Sequence, residues 1–189
     1  VIVDARAGAV TADPTTEELS AAQAKAAKLA AIANQPIAPG ALADGHPVPL
    51  LANVGKPEDA AAAVEAGAEG IGLFRTEFLF LNSESAPTVD QQRAAYAQLL
   101  EAFPGKKVVV RVLDAGADKP LAFLSSDDEE NPALGVRGIR ALRAHEDILR
   151  TQLQALAEAD AQTHADLWVM APMVADASEA KYFHEIATG

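Results

Sequence analysis

The chain has 189 residues, half of them hydrophobic but only 5% aromatic, no cysteine, and a formal net charge of −12. That length fits one large domain, or one domain with part of another. The acidic balance argues against nonspecific nucleic-acid binding and against adhesion to anionic membranes, which both need basic surface. Disulfides and thiolate metal sites are excluded. No apolar run reaches the ~20 residues of a spanning helix, and no basic-then-apolar leader is present, so the simplest reading is a soluble cytoplasmic protein.

In chain order, residues 1–13 alternate apolar and polar positions around Ala7-Gly8, which reads as a hairpin too small to hold a core of its own. Asp13-Pro14-Thr15-Thr16-Glu17-Glu18 opens a helix, with Thr15 and Glu18 spaced as a capping box. Leu19, Ala22, Ala26, Leu29 and Ala33 share one stripe of that helix, which ends near Asn34, before Pro36. A loop rich in Pro, Gly and Ala runs to Pro49 and looks like a boundary. Residues 1–14 thus read as the tail of a preceding domain, 15–47 as a linker helix and loop, and 48–189 as the main domain.

From residue 48 strands and helices alternate. Val48–Asn53, Gly70–Leu73, Val108–Val112 and Leu167–Ala171 read as strands. Helices are expected over Pro57–Ala66, from Thr88 to about Phe103, from about Val136 to Ala159 in one or two pieces, and from Asp176 to about Ala187. Such alternation implies a parallel sheet with right-handed crossovers. Four βα units are half of a (β/α)₈ barrel or most of a small doubly wound sheet, and periodicity alone does not separate the two.

In either architecture, ligands meet the carboxyl ends of the strands. Gly70-Ile71-Gly72-Leu73-Phe74-Arg75 places an arginine where apolar spacing predicts another Leu or Val. Burying it there is costly unless an anion meets it, whether a ligand or a structural carboxylate such as Glu77. Lys107-Val108-Val109-Val110-Arg111-Val112-Leu113-Asp114 repeats the arrangement. Two guanidinium forks converging on one spot suit phosphate or carboxylate oxygens. Asp114 is placed to orient an arginine, whereas Asp118 and Lys119 fit a surface pair. Arg137 and Arg140 are expected on one helix face whose start favours an anion. Arg137 lies nearest the strand ends, and an exposed charged face is the better reading for Arg140 and Arg143. His46, His145, His164 and His184 have no ligand-like spacing, and no carboxylate pair is visibly placed for Mg²⁺.

Gly-Ile-Gly-Leu-Phe-Arg-Thr-Glu-Phe-Leu-Phe at 70–80 resembles the phosphoenolpyruvate-utilising enzymes. Its Phe78-Leu79-Phe80 ending is most similar to the protein phosphotransferase branch, Enzyme I of the bacterial sugar phosphotransferase system, rather than to pyruvate phosphate dikinase or phosphoenolpyruvate synthase. Arg111-Val112-Leu113-Asp114-Ala115-Gly116-Ala117-Asp118-Lys119 is similar to the family's Arg-Thr-x-Asp-x-Gly-Gly-Asp-Lys loop, with Val112 for Thr and Ala117 for Gly. Asn131-Pro132 through Arg140 is similar to its Asn-Pro-x-Leu-Gly-x-Arg-x-Ile-Arg segment.

The resemblance implies an α/β chain forming the first half of a (β/α)₈ barrel that binds phosphoenolpyruvate and Mg²⁺. It implies a phosphoryl group passing to a histidine of a swivelling domain and then to the carrier protein HPr, in a cytoplasmic homodimeric enzyme of sugar uptake. By position, Arg75 and Arg111 would grip the phosphoryl group and Arg137 would support them. The family's Mg²⁺-binding Glu and Asp, its substrate-binding Asn and Arg and its proton-donating Cys have no counterpart here, so this chain alone is expected to be inactive. A noncatalytic module binding an organic phosphate or dicarboxylate remains an alternative. A barrel aldolase fits less well, for want of a Schiff-base lysine or a metal triad on a strand.

Overall fold

A computed structural model of the chain describes residues 1–35, 38–81, 85–116, 121, 123, 124 and 129–189. The chain divides into two compact units, Val1–Ala38 and Pro39–Gly189. In the first, β1 (Ile2–Asp4) and β2 (Ala9–Thr11) form the antiparallel hairpin, turning through Gly8 at φ +63°. Helix α1 (Thr16–Ala33) starts at Thr15, whose side chain accepts from the Glu18 amide while the Glu18 carboxylate accepts from the Thr15 amide. Its apolar stripe contains no buried residue, and Leu19 and Leu29 are exposed.

The second unit is a mixed α/β body around a four-stranded parallel sheet whose strands neighbour one another in chain order. The strands are β5 (Ala52–Val54), β6 (Ile71–Arg75), β7 (Lys107–Arg111) and β8 (Asp166–Met170). The sheet and its α/β class are those expected. The single strand expected over Val48–Asn53 is instead split. Pro47–Val48 (β4) pairs antiparallel with Gly40–Ala41 (β3) inside the stretch expected to be loop. Pro49 has no amide to continue the ladder. Leu50 then turns to Glu69, donating its amide to the Glu69 carboxylate at 2.7 Å and accepting the Glu69 amide at 2.7 Å. Parallel pairing starts only at Ala52.

Helices α2 (Asp59–Glu65), α4 (Val89–Glu101), α5 (Ile139–Ala144), α6 (Glu146–Asp160) and α7 (Ala177–Thr188) lie between or after the strands, and α3 (Glu77–Phe80) is one short turn after β6. The Thr88–Gln91 capping box forms, and Asp176 caps α7 by accepting from the Ser178 and Glu179 amides. Helices α4 and α6 pack on each other and supply Tyr96, Leu99, Leu100, Ala155, Leu156 and Ala159 to one core with the strand residues Ile71, Phe74, Val108 and Val110. A second core gathers Phe80, Val112, Leu113, Ile139, Leu142 and Leu149 beyond the carboxyl ends of the strands.

Ile71 and Phe74 are both fully buried although three residues apart. An irregularity in β6 between them shifts the register, so that Ile71 faces Val108 and Phe74 faces Val110. Gly70 and Gly72 allow this close approach, because a Cβ on Gly70 would strike the Lys107 carbonyl and one on Gly72 would lie 3.1 Å from the Leu51 Cβ. The opposite sheet face is open at β8, where Asp166, Trp168 and Met170 are exposed. There the Lys107 ammonium sits 3.6 Å from the Trp168 ring centroid.

A buried polar chain joins the two cores. The Leu113 amide donates to Gln152 Oε1 (2.9 Å), Gln152 Nε2 donates to the Tyr96 hydroxyl (2.9 Å), and that hydroxyl donates to Gln92 Oε1 (3.0 Å). Gln92 Nε2 ends the chain on the Pro87 carbonyl (2.8 Å). Burial pushes the Tyr96 hydroxyl far above the usual phenol range, against the lowering effect of Gln152.

Candidate functional site

The β6 irregularity decides what meets at the carboxyl edge of the sheet. With the register shifted, Arg75 ends β6 directly opposite Arg111, the last residue of β7. Adjacent strands lie about 4.8 Å apart, so two arginine side chains leave neighbouring backbone positions at one place. The buried Thr76 hydroxyl donates to the Arg111 carbonyl at 2.8 Å and locks the two strand ends together. That use of its hydroxyl explains why Thr76, at the start of α3, makes no side-chain cap.

The two arginines sit in different surroundings. Arg75 is exposed, which corrects the sequence expectation of a buried guanidinium; the shifted register turns it out of the core. Its guanidinium carbon lies 5.2 Å from the centroid of the Phe78 ring, and among the described residues it makes no ion pair. Phe78 rests against Gly55, where a Cβ would come within 2.9 Å of the ring. Arg111 is the more enclosed. It is ion-paired to the buried Glu77, and its Nη1 lies 3.1 Å from Asp114 Oδ2. Glu77, considered from the sequence as a partner for Arg75, therefore belongs to Arg111. The Arg111 Nε–H is buried and has no acceptor among the described residues.

Asp114 holds a second arginine, Arg137, whose Nε donates to Asp114 Oδ1 at 3.0 Å. Both residues are buried, and one carboxylate thus bridges two guanidinium groups. Arg137 does not share a helix face with Arg140, as its spacing implied. Gly138, at φ +56° and ψ −133°, breaks the chain direction, and α5 begins only at Ile139. Arg137 is consequently free of helical geometry and turns towards the strand ends. Arg140 faces away, to Glu179.

Arg75, Arg111, Asp114 and Arg137 are thus gathered at one end of the sheet. Sequence reasoning missed Thr76, Gly55 and Phe78. The signal for Thr76 and Phe78 was their position one and three residues after Arg75, where a hydroxyl and a ring had no use in a simple strand-to-helix turn. Ala117, Asp118 and Lys119, part of the loop singled out in the sequence, lie outside the described residues. His46, His164 and His184 are exposed, and His145 joins α5 to α6. No group of three or more His, Cys, Asp or Glu able to hold a metal occurs among the described residues, and the two carboxylates at this edge are engaged by arginines. These residues alone do not fit a Mg²⁺ site.

Guanidinium groups in general suit anions that carry several oxygens. Comparison with known proteins shows the family. Residues 29–188 match the family described as PEP-utilising enzyme, PEP-binding domain. The chain belongs to this family.

Its relatives include a phosphoenolpyruvate-protein phosphotransferase of Streptomyces coelicolor, 58% identical over 97% of this chain and 33% of that protein. The protein of the same name from Bacillus subtilis is 43% identical over 96% of the chain and 32% of its own length. A multiphosphoryl transfer protein of Rhodobacter capsulatus is 41% identical over 99% of the chain and 23% of its length. The chain therefore spans a third or less of these relatives. The family read from the arginine-bearing segments is the family found. No helix among the described residues is long and apolar enough to cross a membrane.

Proposed function

We propose that this chain is part of a phosphoenolpyruvate-protein phosphotransferase and supplies the arginines that grip the phosphoryl group. The observation that carries this reading is the register pairing of Arg75 with Arg111 at the carboxyl ends of adjacent parallel strands. Two features support it. Among the described residues, Arg75 reaches solvent without a carboxylate partner and the Arg111 Nε–H has no acceptor.

In the reaction, the bond between phosphorus and the enol oxygen of phosphoenolpyruvate breaks as a histidine nitrogen of the enzyme bonds to phosphorus. The enolate leaves and takes a proton to become pyruvate. The phosphohistidine then passes its phosphoryl group to HPr. Arg75 and Arg111 stabilise the phosphoryl oxygens while charge is spread across them. Arg137 supports the grip through Asp114, which fixes it against Arg111. Mg²⁺ would supply further charge neutralisation, held by ligands other than the residues described here.

The consecutive strand order, without the reversal that marks a doubly wound sheet, supports reading 48–189 as the first half of a (β/α)₈ barrel. By the same reading, 1–14 is the tail of the phosphohistidine domain and 15–47 the connection, in a cytoplasmic homodimer serving sugar uptake. With part of the site only, the chain is expected to bind phosphoenolpyruvate at roughly the millimolar level, about 4 kcal/mol, and to transfer nothing to HPr by itself. Calorimetric titration with Mg²⁺ present tests this. Arg75→Ala and Arg111→Ala should each abolish the heat, and binding unaffected by both would refute the assignment.

The Phe78 platform gives a finer prediction. Gly55→Ala pushes the ring from under Arg75, and an exposed cation–π contact contributes about 0.5–1 kcal/mol. Phosphoenolpyruvate affinity is expected to fall by about two- to fivefold, with stability in urea lowered by no more than about 1 kcal/mol.

A further inference from the structure

The segment that delivers Arg137 is fastened from three sides. Arg140, in the first turn of α5, donates through Nη1 to the carbonyls of Leu134 and Gly135, each at 3.1 Å. Its Nε donates to Glu179 Oε1 on α7 at 3.3 Å, and the other oxygen of Glu179 accepts the Ala175 amide at 2.6 Å. The Ala175 amide chiefly, with help from Arg140 and against desolvation, holds the Glu179 carboxyl below the usual range, so it is charged at neutral pH. From below, the Ile139 amide donates to the Pro172 carbonyl at 3.1 Å, and Gly138 lies so close that a Cβ there would be 3.0 Å from the same oxygen. On the third side, Glu129 Oε1 accepts the Val136 amide at 2.8 Å. Between these fixings stands Arg137, with its guanidinium on Asp114.

We infer that Arg140 and Glu179 are positioning residues of the phosphate site: through the 134–136 backbone they set where Arg137 meets Asp114, without touching the substrate themselves. An ordinary surface ion pair joins two side chains and contributes little. This guanidinium instead spends one nitrogen on two carbonyls of the loop, so its loss unpins the backbone next to Arg137. Lysine cannot reproduce that fork. The arrangement also ties the site to the β8–α7 connection and the start of α7, because Pro172 and Ala175 belong to the connection and Glu179 lies in the first turn of α7.

The inference rests on the phosphoenolpyruvate reading above, and its test separates the two. Dissociation constants for phosphoenolpyruvate are measured by NMR titration for the chain, Arg140→Ala, Arg137→Ala and the double variant. Groups that orient a binding residue typically contribute tenfold to a hundredfold, so Arg140→Ala should weaken binding by about tenfold. In the Arg137→Ala background the same change should cost less than about twofold, because Arg140 acts through Arg137. Glu179→Ala, which cuts the link from the α7 side, should follow Arg140→Ala and keeps the test available should that variant not fold. Exchange of the Val136 amide should accelerate in both. Equal losses with and without Arg137, or no loss at all, would overturn the inference while leaving the site reading intact. Affinity indifferent to Arg75→Ala and Arg111→Ala would overturn the site reading and this inference together.

Discussion

Asp114→Ala is expected to destabilise the chain by about 3–5 kcal/mol, the usual cost of removing one member of a buried ion-paired group. Asp114 is 6% exposed, and its two oxygens face different arginines, Arg111 at 3.1 Å and Arg137 at 3.0 Å. Removing the carboxylate leaves two guanidinium groups close together in a largely enclosed place, with Glu77 against Arg111 as a remaining negative charge. Desolvated cations cannot recover the lost interaction from water, so the effect exceeds that of a surface pair. Asp114→Asn keeps an acceptor and loses the charge, and should fall between wild type and alanine. Urea unfolding of the three proteins measures this. A loss below about 1 kcal/mol for alanine would mean that the arginines are held independently of Asp114.

Gln152→Leu is expected to cost about 2–4 kcal/mol even though it replaces a buried polar group by an apolar one of similar size. Gln152 is completely buried and serves two partners from two elements, accepting from the Leu113 amide and donating to the Tyr96 hydroxyl. Leucine leaves a backbone donor and a phenolic oxygen without those partners inside the protein, and each such loss costs about 1–3 kcal/mol. The site feels it as well, because Leu113 is the residue before Asp114. Tyr96→Phe should cost about 1 kcal/mol alone and less in the Gln152→Leu background, since the shared bond is already gone. Strict additivity of the two substitutions in urea unfolding would show that the chain of bonds does not act as a unit.

The periodic part of this fold was readable because it depends on local rules. The strand cores, the crossover helices and the caps at Thr15 and Thr88 follow from apolar spacing and backbone donor satisfaction. Arg75, Arg111, Asp114 and Arg137 were readable as a group because strand ends in a parallel sheet converge. Their pairing was not. Which arginine takes Glu77 depends on a one-residue register change in β6, set by glycines packed against Leu51 and the Lys107 carbonyl, contacts between residues far apart in sequence. The break at Gly138 is similar. A helical pattern continues through it, and only the Pro172 carbonyl packed beneath it, from another βα unit, shows why the helix starts at Ile139 and not near Val136. Gln152 was hidden for the same reason, as a polar residue in an amphipathic helix whose partners lie 39 and 56 residues away.

The central claim is that the paired strand ends carrying Arg75 and Arg111 hold the phosphate of phosphoenolpyruvate. Proton–nitrogen NMR of the arginine side chains during a phosphoenolpyruvate titration tests it most directly. The Nε–H signals of Arg75 and Arg111 should shift together along one saturating curve, while those of Arg93 and Arg150, which are paired elsewhere to Glu158 and Glu146, should stay still. Shifts confined to other arginines, or a saturating curve that leaves Arg75 and Arg111 unmoved, would contradict the account.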